Sequence, residues 1–202
     1  MYVYLETDRL LLRRFTAADA DELVALDGDP AVMRYLTGGI PTPRDVIENE
    51  ILPNWLRYYT RGDRYGFWAA IEKATGDFLG WFHFRPLQGA GDDEPELGYR
   101  LRRSAWGQGY GTEGSRALVR KGFAEFGVRR VVASTYQDNL GSRRIMEKVG
   151  MRLVRSYRPT PAELAAHGIP SGDSWDGDDV EYAIERAEWE RRAAAGAAPS
   201  GG

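Results

Sequence analysis

Between Gly107 and Gly114 a glycine stands at every second or third position, in the run Gly107-Gln108-Gly109-Tyr110-Gly111-Thr112-Glu113-Gly114. The stretch Glu96-Leu97-Gly98-Tyr99-Arg100-Leu101 precedes it and predicts a strand. The stretch after it carries Val119, Phe123 and Phe126 on one helical face and ends at Gly127, a residue suited to the stop of a helix. A strand that turns through bare backbone into a helix has few uses. Without Cβ atoms the chain can approach a bulky anion, and the first amides of the helix then point at it with the dipole in favour. A diphosphate is the natural guest. The competing use of the same glycines is a turn packed closely on its neighbours.

Composition narrows the chemistry. The chain has 202 residues, no cysteine and two histidines, His83 and His167. Disulfides, thiolate nucleophiles and cysteine-bound metals are excluded, and no metal site is expected. Net charge is −3, which argues against a general nucleic-acid binder. No run reaches about 18 apolar residues. The start of the chain lacks the uncharged core of a secretion signal, so a cytoplasmic protein without membrane contact is expected. The length suits about one domain. We expect it over residues 1–192, with 193–202, rich in Ala and Gly, as a flexible tail.

Leu10 to Phe15 reads as the first strand. Thr16 with Asp19 forms a variant capping box, Leu23, Val24 and Leu26 give the helix its apolar face, and Asp27-Gly28-Asp29-Pro30 stops it. A second helix is expected from Thr42, with Pro43 in its first position and a kink at Pro53. Strands are expected at Phe67–Glu72 and Phe78–Phe84 around the turn Ala74-Thr75-Gly76-Asp77. The β-branched run Val131–Tyr136 reads as a strand buried on both faces. Leu140–Val149 reads as a helix closed by Gly150, with strands at Met151–Tyr157 and Asp178–Glu185. The sum is an α+β (mixed α/β) fold, a mostly antiparallel sheet with a parallel step in its middle.

Taken literally, Gly109 to Gly114 also matches the dinucleotide fingerprint GxGxxG. That fingerprint wants an acidic residue about 20 positions on, at the end of the next strand. Val132 to Tyr136 offers none, and Arg102 to Trp106 separate the strand from the glycines. The order of motifs resembles instead the GNAT acetyltransferase superfamily, in particular the branch similar to ribosomal-protein N-terminal acetyltransferases (Rim type). The stretches that carry the resemblance are Glu6-Thr7-Asp8-Arg9-Leu10-Leu11-Leu12-Arg13, Glu96-Leu97-Gly98-Tyr99, Trp106 to Glu113, Asn139-Leu140-Gly141-Ser142-Arg143-Arg144 and Glu147-Lys148-Val149-Gly150-Met151.

The resemblance implies a twisted sheet splayed in its middle, helices on both faces, and acetyl-CoA as the cofactor. Gln108, Gly109, Tyr110, Gly111 and Thr112 would hold the diphosphate through backbone amides, with Trp106 where the family carries Arg or Gln. The pantetheine arm would lie between the strands at Leu97, Gly98, Tyr99 and Thr135, in contact with Asn139. Arg143 or Arg144 would meet the ribose phosphate, since a guanidinium suits phosphate oxygens. The acceptor implied is a primary amine, either a protein N-terminus or a small cationic amine such as an antibiotic or polyamine. It attacks directly in a ternary complex, and the donor is acetyl or a larger acyl group. Relatives commonly form homodimers.

An alkyl amine is mostly protonated at neutral pH and must lose a proton before it attacks. Glu96 opens the strand beside the expected thioester, where some relatives carry a base. Glu113 is a second candidate, its other use being a helix-start carboxylate favoured by the dipole. A backbone N–H at Gly98 or Tyr99 would meet the oxyanion. Many relatives protonate the leaving thiolate from a Tyr seven residues after the Asn. Met146 stands there, and Ser142 is the expected substitute, its other use being a local bond at the helix start. His83 reads as a core histidine or as lining of the acceptor pocket. Asp173 to Asp179 reads as a polar hairpin tip or a surface for a cationic acceptor. The alternative function is a non-catalytic acyl-CoA sensor or interaction module that keeps the cleft.

Overall fold

The computed structural model describes residues 2–87, 89–160 and 177–197. Its elements are β1 (Val3–Glu6), β2 (Leu10–Arg14), α1 (Ala20–Asp27), α2 (Pro30–Thr37), α3 (Arg44–Val46), a π turn (Ile47–Ile51), α4 (Leu52–Tyr58), β3 (Gly66–Glu72), β4 (Phe78–Pro86), β5 (Pro95–Leu101), α5 (Tyr110–Glu125), β6 (Arg130–Tyr136), α6 (Leu140–Val149), β7 (Arg152–Tyr157), β8 (Asp179–Glu185) and α7 (Arg186–Ala197). The strands form one sheet in the order β1-β2-β3-β4-β5-β6-β8-β7. Neighbours are antiparallel except β5 and β6, which run parallel and share one register pair, Glu96 opposite Val132. Beyond that pair β5 is bonded towards β4 and β6 towards β8. The sheet therefore opens between Leu97–Leu101 and Ala133–Tyr136.

Period-two alternation divides the sheet's side chains between two layers. Phe67, Ala69 and Trp81 meet Leu23, Leu26, Ile47 and Leu52 on one face. Trp68, Ala70, Phe82 and Phe84 meet Leu118, Val119, Phe123 and Met146 on the other. Helices α1 to α4 cover the first face, and α5 to α7 the second, where Trp189 of α7 joins the cluster. Burial of each large apolar side chain contributes about 1.5–3 kcal/mol.

Several local readings need correction. The stop at Asp27-Gly28-Asp29-Pro30 is also a start: Asp29 accepts from the Ala31 amide at 2.9 Å, and Pro30 opens α2. Thr42 does not begin a helix. Its hydroxyl donates to Asp27 at 2.9 Å, and Pro43 is the N-cap residue of α3. Pro53 divides the run as expected, with the π turn ending just before it. Strand β6 is not buried on both faces: Val131 and Ala133 are buried, whereas Val132, Ser134 and Tyr136 are half-buried. Tyr35 of α2 stacks on Tyr136 of β6 with ring centres 5.9 Å apart. Helix α7 includes Ala193 to Ala197, so the stretch expected to be a flexible tail begins as helix. Among the described residues no helix is long and apolar enough to cross a membrane.

Candidate active site

Helix α5 begins beyond the Leu101 end of the gap. Gly107 and Gly109 sit at φ +73° and +89°, a left-handed geometry that favours glycine. Gly109 is the N-cap residue of α5, and no side chain caps the helix. The Glu113 amide donates to the Gly109 carbonyl at 3.0 Å. The amides of Tyr110, Gly111 and Thr112, one turn earlier, have no intrahelical acceptor. Three outward N–H groups on a 16-residue helix make a fitting seat for a diphosphate. The other glycines of the run have a different cause. A Cβ on Gly111 would stand 2.6 Å from Ile145 Cδ1, and one on Gly114 would stand 2.4 Å from Phe82 Cζ. These two seat α5 on α6 and the sheet. Left-handed backbone and close packing thus each explain half of the run.

Glu113 is not available as a base. Thr7 Oγ1 and the Arg9 amide donate to its Oε1 at 2.6 and 2.9 Å, and Arg9 Nε donates to Oε2 at 2.7 Å. Burial pushes this carboxyl up, but the donors together hold it below its ordinary range. Arg9 Nη1 also donates to the Gln108 carbonyl at 2.9 Å, and its guanidinium carbon lies 4.3 Å from the centre of the Tyr110 ring. The opening motif is a clamp on the glycine loop. Trp106 belongs to the same brace, its Nε1 donating to the Leu101 carbonyl at 2.8 Å.

Glu96 lies at the closed end of the gap, where the strands are still paired, and its side chain is 5% exposed. His83 Nε2 stands 3.1 Å from Oε2, Arg85 Nη2 stands 3.9 Å from the same oxygen, and Ser134 Oγ donates to Oε1 at 3.4 Å. His83 packs directly over Gly98, where a Cβ would fall 2.4 Å from Nε2. Gly98 is therefore a glycine because the imidazole needs its space. His83 is both a core histidine, edge-on to Phe67, and the nearest ring to the carboxylate.

Across the gap, Asn139 caps α6. Its Oδ1 accepts from the Ser142 amide at 3.2 Å, and its Nδ2 donates to Thr135 Oγ1 at 3.1 Å. Ser142 Oγ lies 2.9 Å from the Tyr99 hydroxyl. Leu97 is buried between the layers. Arg143 is engaged inside the fold, donating to the Gln137 carbonyl at 2.9 Å and to the Tyr182 hydroxyl at 3.1 Å. Arg144 is exposed on α6. The structure thus gathers Glu96, Gly98, Tyr99, Thr135, Asn139 and Ser142 around one gap, with Gln108 to Thr112 beyond its end. Sequence reasoning missed three links: Arg9 to Glu113, Tyr99 to Ser142, and the pair of half-buried Arg100 with buried Asp27 at 2.5 Å. Each joins residues far apart in the chain, and no spacing rule carries such a signal. His167 and the residues Asp173 to Asp176 lie outside the described residues.

Comparison with known proteins agrees with this geometry. Residues 9–152 match the acetyltransferase (GNAT) domain. The FsC-acetyl coenzyme A-N(2)-transacetylase of Aspergillus fumigatus is 32% identical over 194 residues, 93% of this chain and 78% of that protein. A GNAT-family acetyltransferase from Bacillus anthracis shares the fold with a TM-score of 0.72 at 24% identity, covering 93% of this chain and all of the other. RimL, a ribosomal L7/L12 alpha-N-protein acetyltransferase solved in complex with coenzyme A, does so with a TM-score of 0.71 at 16% identity, over 91% of this chain and 97% of its own. A splayed parallel step, an uncapped helix start at its open end and a family match across both leave one assignment: the chain belongs to the GNAT acetyltransferases and is an N-acetyltransferase that uses acetyl-CoA.

Proposed function

We propose that the acceptor is a primary amine, that Glu96 takes its proton, and that Ser142 gives a proton to the departing thiol. The observation that carries this reading is a buried carboxylate at the point where β5 and β6 part. When bound, acetyl-CoA supplies the activated acyl carbon. The chain does the rest. The amides of Tyr110 to Thr112 anchor the donor, and the edges of β5 and β6 align its arm. The Gly98 or Tyr99 amide is the donor for the oxyanion. Glu96, held by His83 and Ser134, accepts the ammonium proton directly or through one water. The fungal relative's N(2)-transacetylase activity supports a nitrogen acceptor. A protein N-terminus or a small cationic amine fits an anionic base at the closed end of the gap.

Thiol release from acetyl-CoA across a panel of peptide N-termini, polyamines and aminoglycosides tests this, beside calorimetry of acetyl-CoA binding. Turnover on at least one amine is expected, with Glu96→Gln lowering kcat about 10²-fold and leaving the KM for acetyl-CoA nearly unchanged. Tight binding without turnover on any amine would instead identify an acyl-CoA sensor.

A further inference from the structure

Met146 is buried on α6 at 1% exposure and offers no hydroxyl to a leaving thiolate. The fold brings a phenol to the same helix from elsewhere. Tyr99, on β5, holds its hydroxyl 2.9 Å from Ser142 Oγ and 3.1 Å from the Ser142 carbonyl, 43 residues along the chain. The bond joins β5 to α6 on the face of the sheet that α6 covers. Ser142 is fixed from the other side as well, because Asn139 accepts from its amide. We infer that Tyr99 is a positioning residue for Ser142: its O–H, shared between the Ser142 carbonyl and Ser142 Oγ, leaves the serine's own proton to turn into the gap.

This inference rests on the proposed role of Ser142. As the C–S bond breaks, its electron pair goes to sulfur and the Ser142 proton goes to the same sulfur. The acylated nitrogen, which must lose its second proton to become an amide, returns one through water to the serine oxygen, so that thiol, amide and neutral serine are left. The phenol keeps its proton throughout. Burial raises its titration and so disfavours phenolate. Its hydrogen bond strengthens while charge grows on Oγ.

A double-mutant cycle tests the assignment, with kcat and KM for acetyl-CoA measured on the fastest amine of the panel. Tyr99→Phe is expected to lower kcat about 3- to 10-fold, the scale of one hydrogen bond, with KM unchanged. Ser142→Ala is expected to lower kcat about 10²-fold. The double variant should match Ser142→Ala, because no serine oxygen is left to position. A double variant slower than Ser142→Ala by the whole Tyr99→Phe factor would mean that the phenol only braces the carbonyl. That result, or Tyr99→Phe at wild-type kcat, overturns the inference and leaves the role of Ser142 standing. Ser142→Ala at wild-type kcat removes that role, and the inference with it. Tyr99→Met repeats the cycle if the Phe variant does not fold.

Discussion

Helices α5 and α6 both start beside the gap in the sheet, and their first turns are finished in opposite ways. Helix α6 closes on itself, its Asn139 side chain accepting from Ser142 and reaching across to Thr135. Helix α5 starts from a left-handed glycine with no capping side chain. Stability alone favours the first arrangement, since an N-cap is worth roughly 1 kcal/mol. A helix that forgoes one at the mouth of a cleft keeps its amides for something brought from outside. The residues around α5 fit that use. Arg9 and Thr7 tie down Glu113, so the loop is rigid without any side chain covering its amides.

The comparison breaks most directly at Gly109. Gly109→Asp puts a carboxylate where the diphosphate is expected, beside Arg9 Nη2, which lies 3.3 Å from the position of the new Cβ. Loss of charge-assisted bonds to backbone amides should weaken coenzyme A binding about 10²-fold by calorimetry. An unchanged Kd would mean that the diphosphate sits elsewhere. Asn139→Ala sharpens the contrast from the other side. Both polar ends of that side chain are used inside the fold, so the variant should cost about 1 kcal/mol of stability in denaturant titration. Its coenzyme A affinity should change far less than that of Gly109→Asp. A larger loss of binding than of stability would make Asn139 a direct ligand of the donor.

The sequence marks these helix ends unequally. Local signals were legible: the Thr16–Asp19 box forms, with the Thr16 amide donating to Asp19 at 2.7 Å, and Gly127 and Gly150 take the left-handed stops expected of them. The same local chemistry misleads at Asp29-Pro30, which serves equally to end one helix and begin the next. Helix α7 was not legible because its face is mostly charged and chiefly Trp189 packs on the core. Within the candidate site, the strand-to-helix setting of the glycine run and the position of Glu96 at the start of β5 could be read from the sequence. The division of that run into left-handed and packing glycines could not, because it depends on Phe82 and Ile145, which neighbour it only in space. Glu113 is the plainest case. Beside a helix start it reads as a candidate base, and only the arrival of Thr7 and Arg9 from more than a hundred residues away removes it from the chemistry.

That clamp has its own acid signature, the smallest effect of the three. Burial alone would raise the Glu113 carboxyl, but the donors from Thr7 and Arg9 outweigh it, so its folded-state pKa lies below the unfolded one. A depressed carboxylate contributes stability above its unfolded pKa, near 4.5, and that contribution is lost as pH falls through the lower folded value. Glu113→Gln should therefore destabilise the protein modestly at pH 7, and the gap from wild type should narrow as pH falls below about 4.5, where the unfolded chain takes up the proton, and close only below the lower folded value. Because the clamp holds the loop and not the ligand, coenzyme A binding near neutral pH should weaken only to the extent that the loop loosens. Paired thermal melts at pH 7 and pH 4 read the first effect, and calorimetry at pH 7 the second. A stability gap that is constant with pH would mean that Arg9 holds the loop through Gln108 and Tyr110 without help from the carboxylate's charge.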